Sequence, residues 1–212
     1  MNIVLIGATG FIGTALLNEA LNRGHAVSAL STRPDKLAPR ERLQARAVDV
    51  MDVAALTAQL AGADAVLSAF SGHAQGDVQA YYVSGARNII AAVKEARVPR
   101  LLMVGGAGSL EVAPGAQLLD SPDFPEQYRA SAEGARQSLA LLRAEASLDW
   151  TMLSPAAMIS PGQRSGVFRL GGNALLLDAA GKSAISVEDY AVAMIDELEK
   201  PAHSRQRFTV AY

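Results

Sequence analysis

Three glycines recur at intervals of three near the start of the chain. Gly7, Gly10 and Gly13 lie in the segment Gly-Ala-Thr-Gly-Phe-Ile-Gly, directly after a short apolar run and before a helix-like pattern. In this context Gly7 would permit a tight turn, Gly10 would let backbone N–H groups approach a pyrophosphate, and Gly13 would permit close helix–strand packing. The spacing therefore predicts a dinucleotide-binding turn. Its other cofactor-contacting positions are Thr9, Phe11 and Ile12.

The residues after the second predicted strand indicate which dinucleotide binds. An NAD site usually has an acid there that binds the ribose 2′-hydroxyl. This chain instead has Ser31, Thr32 and Arg33, and no acid occurs until Asp35. The guanidinium of Arg33 can fork around a phosphate, with the two hydroxyls as further donors. We therefore expect NADP(H) to be preferred over NAD(H); the alternative is that Arg33 is a solvated surface arginine.

The elements that must position these residues alternate along the chain. Short apolar runs predict strands at Asn2–Ile6, Ala26–Leu30, Ala45–Val50, Ala65–Ala69, Arg100–Val104, Trp150–Ser154, Leu175–Asp178 and Arg207–Val210. Amphipathic spacing predicts helices at Phe11–Arg23, Val53–Leu60, Val78–Ala96, Gln127–Glu145 and Val187–Glu199. This alternation predicts an α/β fold, a Rossmann-like doubly wound parallel sheet with helices on both faces. We expect residues 1–212 to form one NAD(P)-binding domain, with 155–186 as a small substrate-side lobe.

Composition excludes several classes of function. The chain has 212 residues, a formal net charge of -2 and no cysteine, so a basic footprint for nucleic acid, disulfides and thiolate metal sites are excluded. It has no 18-residue apolar stretch, and we expect no membrane partner. The histidines His25, His73 and His203 are scattered, so no metal site is predicted, although His73 could face the cofactor. We expect a soluble cytoplasmic protein, and the oligomeric state stays open.

Five stretches of the sequence together carry a family resemblance. They are Gly7–Gly13, Arg33, Asp49–Val50, Leu153–Ala156 and Ile185–Ala191. On these residues the chain resembles the atypical short-chain dehydrogenase/reductase proteins over essentially its whole length. Within them it is similar to the small NAD(P)H-binding branch that includes NAD-dependent epimerase/dehydratase-like, NmrA-like and biliverdin reductase B-like proteins.

The resemblance implies further cofactor contacts. It places the adenine against Asp49 and Val50, and the adenine-ribose side against Ala69, Phe70 and Ser71. It places the nicotinamide beside Pro155, Ala156 and Met158. For Phe70, Ala156 and Met158, core packing is the alternative interpretation.

The catalytic pair of the wider family is missing. That family normally uses Tyr-x-x-x-Lys, in which the lysine activates the tyrosine as a proton donor. No tyrosine in this chain is followed four residues later by lysine. The nearest positional match is Tyr128, which has Ala132 four residues later. Sugar-nucleotide epimerase chemistry is therefore disfavoured. The fewer than 60 residues after Ser154 are also few for the substrate domain of such an enzyme.

Hydride transfer to an acceptor that needs little acid catalysis fits the remaining residues. Flavins, quinones and linear tetrapyrroles are such small planar acceptors. Ser109 could hydrogen-bond an acceptor oxygen or be a solvated loop serine, and Tyr128 could orient the substrate. Two alternatives stay open: a non-catalytic NADP(H)-binding redox sensor, as NmrA-like proteins are thought to be, and an epimerase/dehydratase-like protein without the Tyr-x-x-x-Lys pair.

Overall fold

A central sheet flanked by helices organises residues 1–72 and 76–212, which the computed structural model describes. His73, a candidate from the sequence, lies outside these ranges. The strands are β1 Asn2–Ile6, β2 Ala26–Ser31, β3 Leu43–Ala47, β4 Ala65–Ser68, β5 Arg100–Val104, β6 Glu111–Ala113, β7 Ala116–Gln117, β8 Asp149–Ser154, β9 Met158–Ser160, β10 Arg169–Gly171, β11 Ala184–Ser186 and β12 Gln206–Ala211. The helices are α1 Phe11–Asn22, α2 Val53–Leu60, α3 Val78–Glu95, α4 Glu126–Ala144 and α5 Val187–Glu199.

The strand order places a binding crevice at one end of the sheet. The order is β10-β12-β8-β5-β4-β1-β2-β3, and every neighbouring pair is parallel except β10 with β12. The chain proceeds outward in one direction from β1 to β3 and in the other direction through β4, β5, β8 and β12, with the short β10 at the edge beyond β12. This reversal lies between β1 and β4, and ligands of such sheets bind at the carboxyl ends of the strands beside it. The predicted Rossmann-like architecture is confirmed.

Two helix layers bury the two faces of the sheet. In β1, Ile3 and Leu5 belong to the apolar cluster under α1 and α5, whereas Val4 and Ile6 belong to the cluster under α2, α3 and α4. Because both faces are covered, this strand is a continuous apolar run without polar alternation. No helix in the described ranges has the length and apolar character needed to cross a membrane.

Most of the predicted elements are confirmed, with shifts of a few residues at their ends. The helix Val187–Glu199 is found with its predicted bounds, and its N-cap is Ser186, whose hydroxyl accepts a hydrogen bond from the Asp189 N–H at 3.0 Å. The third strand ends at Ala47, so Asp49 and Val50 lie beyond it and not at its end.

The strand predicted at Leu175–Asp178 is wrong. Asp178 instead begins a tight turn: its carboxylate accepts hydrogen bonds from the N–H groups of Ala180 and Lys182, and Gly181 has a positive φ of 74°. The Leu175 N–H donates to the Glu111 carbonyl at 2.9 Å, and the Asp178 N–H donates to the Lys182 carbonyl at 2.8 Å, within the turn. The strands of the segment 155–186 are β9, β10 and β11, and β10 extends the main sheet beyond β12.

A buried carboxylate ties the segment 155–186 to α5. Asp189 accepts hydrogen bonds from the N–H groups of Ser165 and Gly166 and from the hydroxyls of Ser165 and Tyr212. Although burial raises the pKa of Asp189, these hydrogen bonds outweigh that effect and hold it below its ordinary value. The segment is thus held in place by a buried carboxylate that accepts four hydrogen bonds.

An ion-pair network holds the opposite, amino-terminal edge of the sheet. Arg100 at the start of β5 donates to Glu197 of α5 at 2.7 Å and to Asp149 of β8 at 2.7 Å. Glu197 also accepts from the backbone N–H and ring Nδ1 of His203. Arg100 and Glu197 are both buried, so each charge depends on the other for compensation.

Removing one side of this buried pair tests its contribution to stability. We expect Glu197→Ala to lower the free energy of unfolding by about 3–5 kcal/mol, because Arg100 keeps its charge in a buried position with one carboxylate fewer. Urea denaturation followed by circular dichroism measures the change. The matched control is Glu126→Ala, which removes an acid paired with Arg129 at the surface and should cost about 0–1 kcal/mol. Equal decreases in the free energy of unfolding for the two variants would contradict a stabilising role of the buried Arg100–Glu197 pair.

Candidate functional site

In the glycine turn after β1, two of the three positions can hold only glycine, because a side chain there would clash with the backbone. Gly7 has a φ of +80°, and a Cβ added there would lie 2.7 Å from the Ala69 carbonyl oxygen. A Cβ on Gly13 would lie 2.0 Å from the Gly7 carbonyl oxygen. The tight turn at Gly7 and the close packing at Gly13 therefore occur as predicted, and they bring the first turn of α1 against the end of β1.

Gly10 is different, because the fold itself does not require a glycine there. Its φ of -78° is open to any residue, and a Cβ would approach only the Gly7 carbonyl oxygen, at 3.4 Å. Gly10 is the N-cap of α1 and has no side chain to cap the helix. The first intrahelical hydrogen bond runs from the Thr14 N–H to the Gly10 carbonyl oxygen at 2.9 Å. The preceding N–H groups, on Phe11, Ile12 and Gly13, are left for an external acceptor. The open space beside them is a cradle that a Cβ would fill, which suits a pyrophosphate.

The end of β2 lies beside this turn. The hydroxyls of Thr9 and Ser31 are 2.8 Å apart, and the Ser31 hydroxyl accepts from the Arg33 N–H at 3.1 Å. Thr32 and Arg33 are exposed, and within the described residues the Arg33 side chain makes no hydrogen bond or ion pair. Hydroxyls and a free guanidinium thus lie where an NAD site would have a carboxylate.

The residues implied as adenine contacts differ in their surroundings. Asp49 is exposed, and its carboxylate accepts from the Met51 N–H at 2.9 Å, whereas Val50 is buried in the core under α2 and α3. Ala69 is half-buried and Ser71 is exposed. Phe70 packs its ring against α3, where a Cβ on Gly85 would lie 2.2 Å from it. For Phe70 the structure therefore matches the packing interpretation.

The residues implied as nicotinamide contacts follow β8. Pro155 and Ala156 are buried, and Ala156 belongs to the core under α5. Met158 is 67% exposed, so it is available to a ligand and is not a core residue.

The two catalytic candidates have opposite environments. Tyr128 lies in the first turn of α4, 53% exposed, and its hydroxyl makes no hydrogen bond within the described residues. Ser109 is only 5% exposed, so the interpretation as a solvated loop serine is wrong. It ends the short 3₁₀ turn Ala107–Ser109 after β5, and its hydroxyl and carbonyl accept from Arg207.

Two buried tyrosines support the carboxyl ends of β5 and β8 from opposite layers. Tyr82 of α3 donates to the Val104 carbonyl at 3.4 Å, and Tyr190 of α5 donates to the Leu153 carbonyl at 2.7 Å. Burial raises the pKa of Tyr82 to about 12 and that of Tyr190 well above its ordinary value. Both hydroxyls therefore stay protonated at neutral pH and act as fixed donors, not as proton carriers.

A cavity of about 470 Å³ runs along α1 from the glycine turn. Arg164 also lines this cavity and donates to the buried Glu19 at 2.8 and 2.7 Å. The hydrogen bond from Arg164 is the main cause that lowers the pKa of Glu19, ahead of the opposing effect of burial. This ion pair anchors the segment after β9 to the helix that starts at the glycine turn.

Sequence reasoning missed the residues that join distant segments here, namely Arg164 with Glu19, Arg207, Asn173 and the two tyrosines. A charged residue directly before the apolar end of β12 was the signal for Arg207. Within residues 1–72 and 76–212, no group of histidine and acidic side chains could hold a metal ion.

Comparison with known families identifies the dinucleotide turn. A family described as NAD(P)H-binding matches residues 7–201, from the first glycine of the turn to just beyond the end of α5. The chain belongs to this NAD(P)H-binding family. The resemblance to small atypical short-chain dehydrogenase/reductase proteins is thereby confirmed, and so is a nicotinamide dinucleotide as the ligand.

Three similar proteins cover nearly the whole chain. The uncharacterized protein YwnB of Bacillus subtilis (strain 168) is 41% identical over 214 residues, which span 99% of this chain and 98% of YwnB. A Bacteroides thetaiotaomicron structure, provisionally named an epimerase, is 46% identical with a TM-score of 0.93, covering 100% of this chain and 96% of that one. A Streptococcus pneumoniae TIGR4 structure, provisionally named an NADH-flavin reductase, is 33% identical with a TM-score of 0.86, covering 100% and 99%.

The contrast between Gly10 and Gly13 gives a direct test of the NAD(P)H cradle. We expect Gly10→Ala to cost less than about 1 kcal/mol in stability. It should weaken NADPH binding about tenfold or more, because a methyl group would push the phosphates off N–H groups whose charge-assisted bonds are worth about 1.5–3 kcal/mol. Gly13→Ala should instead destabilise the ligand-free protein by about 3 kcal/mol, because its Cβ meets backbone. Calorimetric titration and thermal melting measure both; normal NADPH affinity in Gly10→Ala would refute the cradle.

Proposed function

We propose that this protein is an NADPH-dependent reductase that delivers a hydride to a small planar acceptor such as a flavin or a quinone. The observation that carries the proposal is the pairing of two features. The end of β2 presents hydroxyls and a free arginine in place of a carboxylate, and the chain has no Tyr-x-x-x-Lys pair.

The preference for NADPH rests on the surroundings of Arg33. A ribose 2′-phosphate at the end of β2 would meet the hydroxyls of Thr9 and Ser31, already 2.8 Å apart, and the exposed guanidinium of Arg33. Asp35 lies in the 3₁₀ turn Pro34–Lys36, beyond the strand end, where it does not take the place of the usual ribose-binding acid. Arginine binds phosphate with parallel N–H donors, and a 2′-hydroxyl offers no matching charge.

The proposed acceptor class follows from the groups at the ends of β5 and β8. Tyr82 and Tyr190 are committed to backbone carbonyls, and Tyr128 has no lysine one turn away. An acceptor whose reduced form is stabilised by resonance needs stacking and alignment more than a strong protein acid. The similar Streptococcus protein, with its provisional name of flavin reductase, favours flavin as the first acceptor to test.

The bound cofactor would supply the hydride, two electrons with one proton. The acceptor gains these and takes its second proton from water, while the dihydronicotinamide is oxidised to the nicotinamide cation. The protein's part is to hold the two rings against each other and to exclude competing geometries. The short segment after β8 is long enough to help hold the two rings in this way.

An acceptor panel tests the proposal. The purified protein is mixed with NADPH and one acceptor at a time: FMN, riboflavin or a water-soluble quinone. The loss of absorbance by the reduced nicotinamide is then followed. We expect protein-dependent oxidation with at least one acceptor. If NADPH binds tightly and no acceptor is reduced, the reductase proposal fails and the redox-sensor alternative gains support.

Arg33 gives a separate test of cofactor preference. We expect Arg33→Ala to weaken NADPH binding about 10–100-fold and to leave NADH binding unchanged, because only the 2′-phosphate loses a charge-assisted partner worth about 1.5–3 kcal/mol. The matched control is Arg42→Ala, an exposed arginine whose side chain binds the Gly24 carbonyl near the opposite edge of the sheet. Calorimetric titration with both dinucleotides gives the ratio. An unchanged NADPH affinity in Arg33→Ala would show that Arg33 does not bind the 2′-phosphate.

A further inference from the structure

An asparagine of α3 holds the loop that follows β3. The side-chain Nδ2 of Asn88 donates to the Val50 carbonyl oxygen at 3.1 Å and to the Met51 sulfur at 3.6 Å. Within residues 1–72 and 76–212, the Asn88 side chain makes no other hydrogen bond. Asn88 is half-buried and lies between the buried Gly85 and Ala92, one turn away on either side. A polar side chain on this packed face of α3 is thus committed to one loop.

The loop 49–51 also forms a turn of its own. The Asp49 carboxylate accepts from the Met51 N–H at 2.9 Å through Oδ1, and the Asp49 carbonyl accepts from the Asp52 N–H at 3.1 Å. Asp49 is exposed, and its Oδ2 accepts no hydrogen bond from the described part of the chain. The Val50 carbonyl takes no part in this turn and, among the described residues, accepts only from Asn88. The turn therefore sets the shape of the loop, and Asn88 sets its position against α3.

The loop lies directly beside the end of β2. The Val48 N–H, one residue before the loop, donates to the Ser31 carbonyl at 3.2 Å. The Ser31 hydroxyl in turn lies 2.8 Å from that of Thr9 in the glycine turn. In a nucleotide, the base is bonded to the ribose carbon next to the one that carries the 2′-oxygen. With the ribose at Ser31 and the pyrophosphate at the glycine turn, the adenine therefore falls on the other side of β2, at the loop 49–51.

We propose that Asn88 is a positioning residue for the adenosine half of the cofactor, because it fixes the loop 49–51 as the seat of the adenine ring. The inference rests on the proposed placement of the ribose 2′-group at the end of β2. The partly exposed thioether of Met51 can contact the ring, as sulfur does with aromatic systems. The free Asp49 oxygen can accept from the exocyclic amino group of adenine. Asn88 holds both groups in place and need not touch the ring itself.

A cofactor with an altered base tests this role without turnover. Deamino-NADPH carries hypoxanthine, which has a carbonyl oxygen where adenine has its amino group, so it cannot donate to Asp49. We expect the wild-type protein to bind NADPH about tenfold more tightly than deamino-NADPH, the effect of one hydrogen bond near the upper end of its usual strength. Asn88→Leu keeps the side-chain size and removes the amide. It should weaken NADPH binding about tenfold, leave deamino-NADPH binding within about twofold, and so abolish the preference. Calorimetric titration measures the four affinities.

A second substitution shows whether Asn88 acts through the loop. Asp49→Ala removes the acceptor itself and should abolish the preference for NADPH to the same extent. In the double variant the two losses should not add, because both remove one interaction. The matched control is Asn22→Leu, the same change at an exposed asparagine in the last position of α1 that accepts from Arg40 at 3.3 Å. It should keep the preference. If Asn88→Leu does not fold, the isosteric Asn88→Asp takes its place, since it also removes the donor facing the Val50 carbonyl.

Each outcome bears on the inference. An equal loss of affinity for both cofactors in Asn88→Leu would show that Asn88 has only a structural role. A preference that persists in Asn88→Leu, or a wild-type protein without any preference, would overturn the inference as well. The reductase activity and the preference for NADPH over NADH are tested separately. A comparison of NADH with deamino-NADH reports on Asn88 even if Arg33 does not bind the 2′-phosphate, and none of these titrations depends on whether an acceptor is reduced.

Discussion

The contact between the first turn of α1 and the turn after β1 determines where everything else in the site lies. A Cβ on Gly13 would come within 2.0 Å of the Gly7 carbonyl, so helix and strand meet at the closest distance that the backbone allows. This contact directs the free N–H groups of α1 at the crevice between β1 and β4. It also brings Thr9 to the end of β2, where its hydroxyl meets that of Ser31. The free N–H groups of α1 and the hydroxyls at the end of β2 are therefore positioned by one steric constraint.

The two edges of the sheet treat charge in opposite ways. At the amino edge, Arg100 is compensated by Asp149 and Glu197, which stabilises the packing of β5, β8 and α5 without leaving any charge for a ligand. Near the carboxyl edge, Arg33 is exposed and its side chain has no partner within residues 1–72 and 76–212, and Arg207 is buried against neutral groups. Buried arginine is thus paired with acids at the amino edge, whereas near the carboxyl edge it is hydrogen-bonded to neutral groups.

Most of the fold could be predicted because its signals are local. The bounds of the helix Val187–Glu199 were predicted because its periodic apolar positions lie within a few residues of each other. The failures fall in short segments that carry no periodic apolar pattern. The hairpin of β6 and β7 was not predicted, and the strand expected at Leu175–Asp178 is absent because a turn at Asp178 and contacts with Glu111 decide that region. Short runs without periodicity take the structure that their neighbours impose.

The sequence by itself determined the strand–turn–helix unit, the parallel sheet, the NAD(P)H-binding family and the absence of the usual catalytic pair. These depend on residue types at short spacing, and steric rules at Gly7 and Gly13 act through the backbone alone. Only the tertiary structure decided the surroundings of Ser109. Its partner Arg207 is 98 residues away along the chain, and Ser154 and Asn173 join them from two further segments. A charge buried among neutral groups is a property of that assembly, because desolvation depends on what surrounds a side chain and not on its position in the sequence.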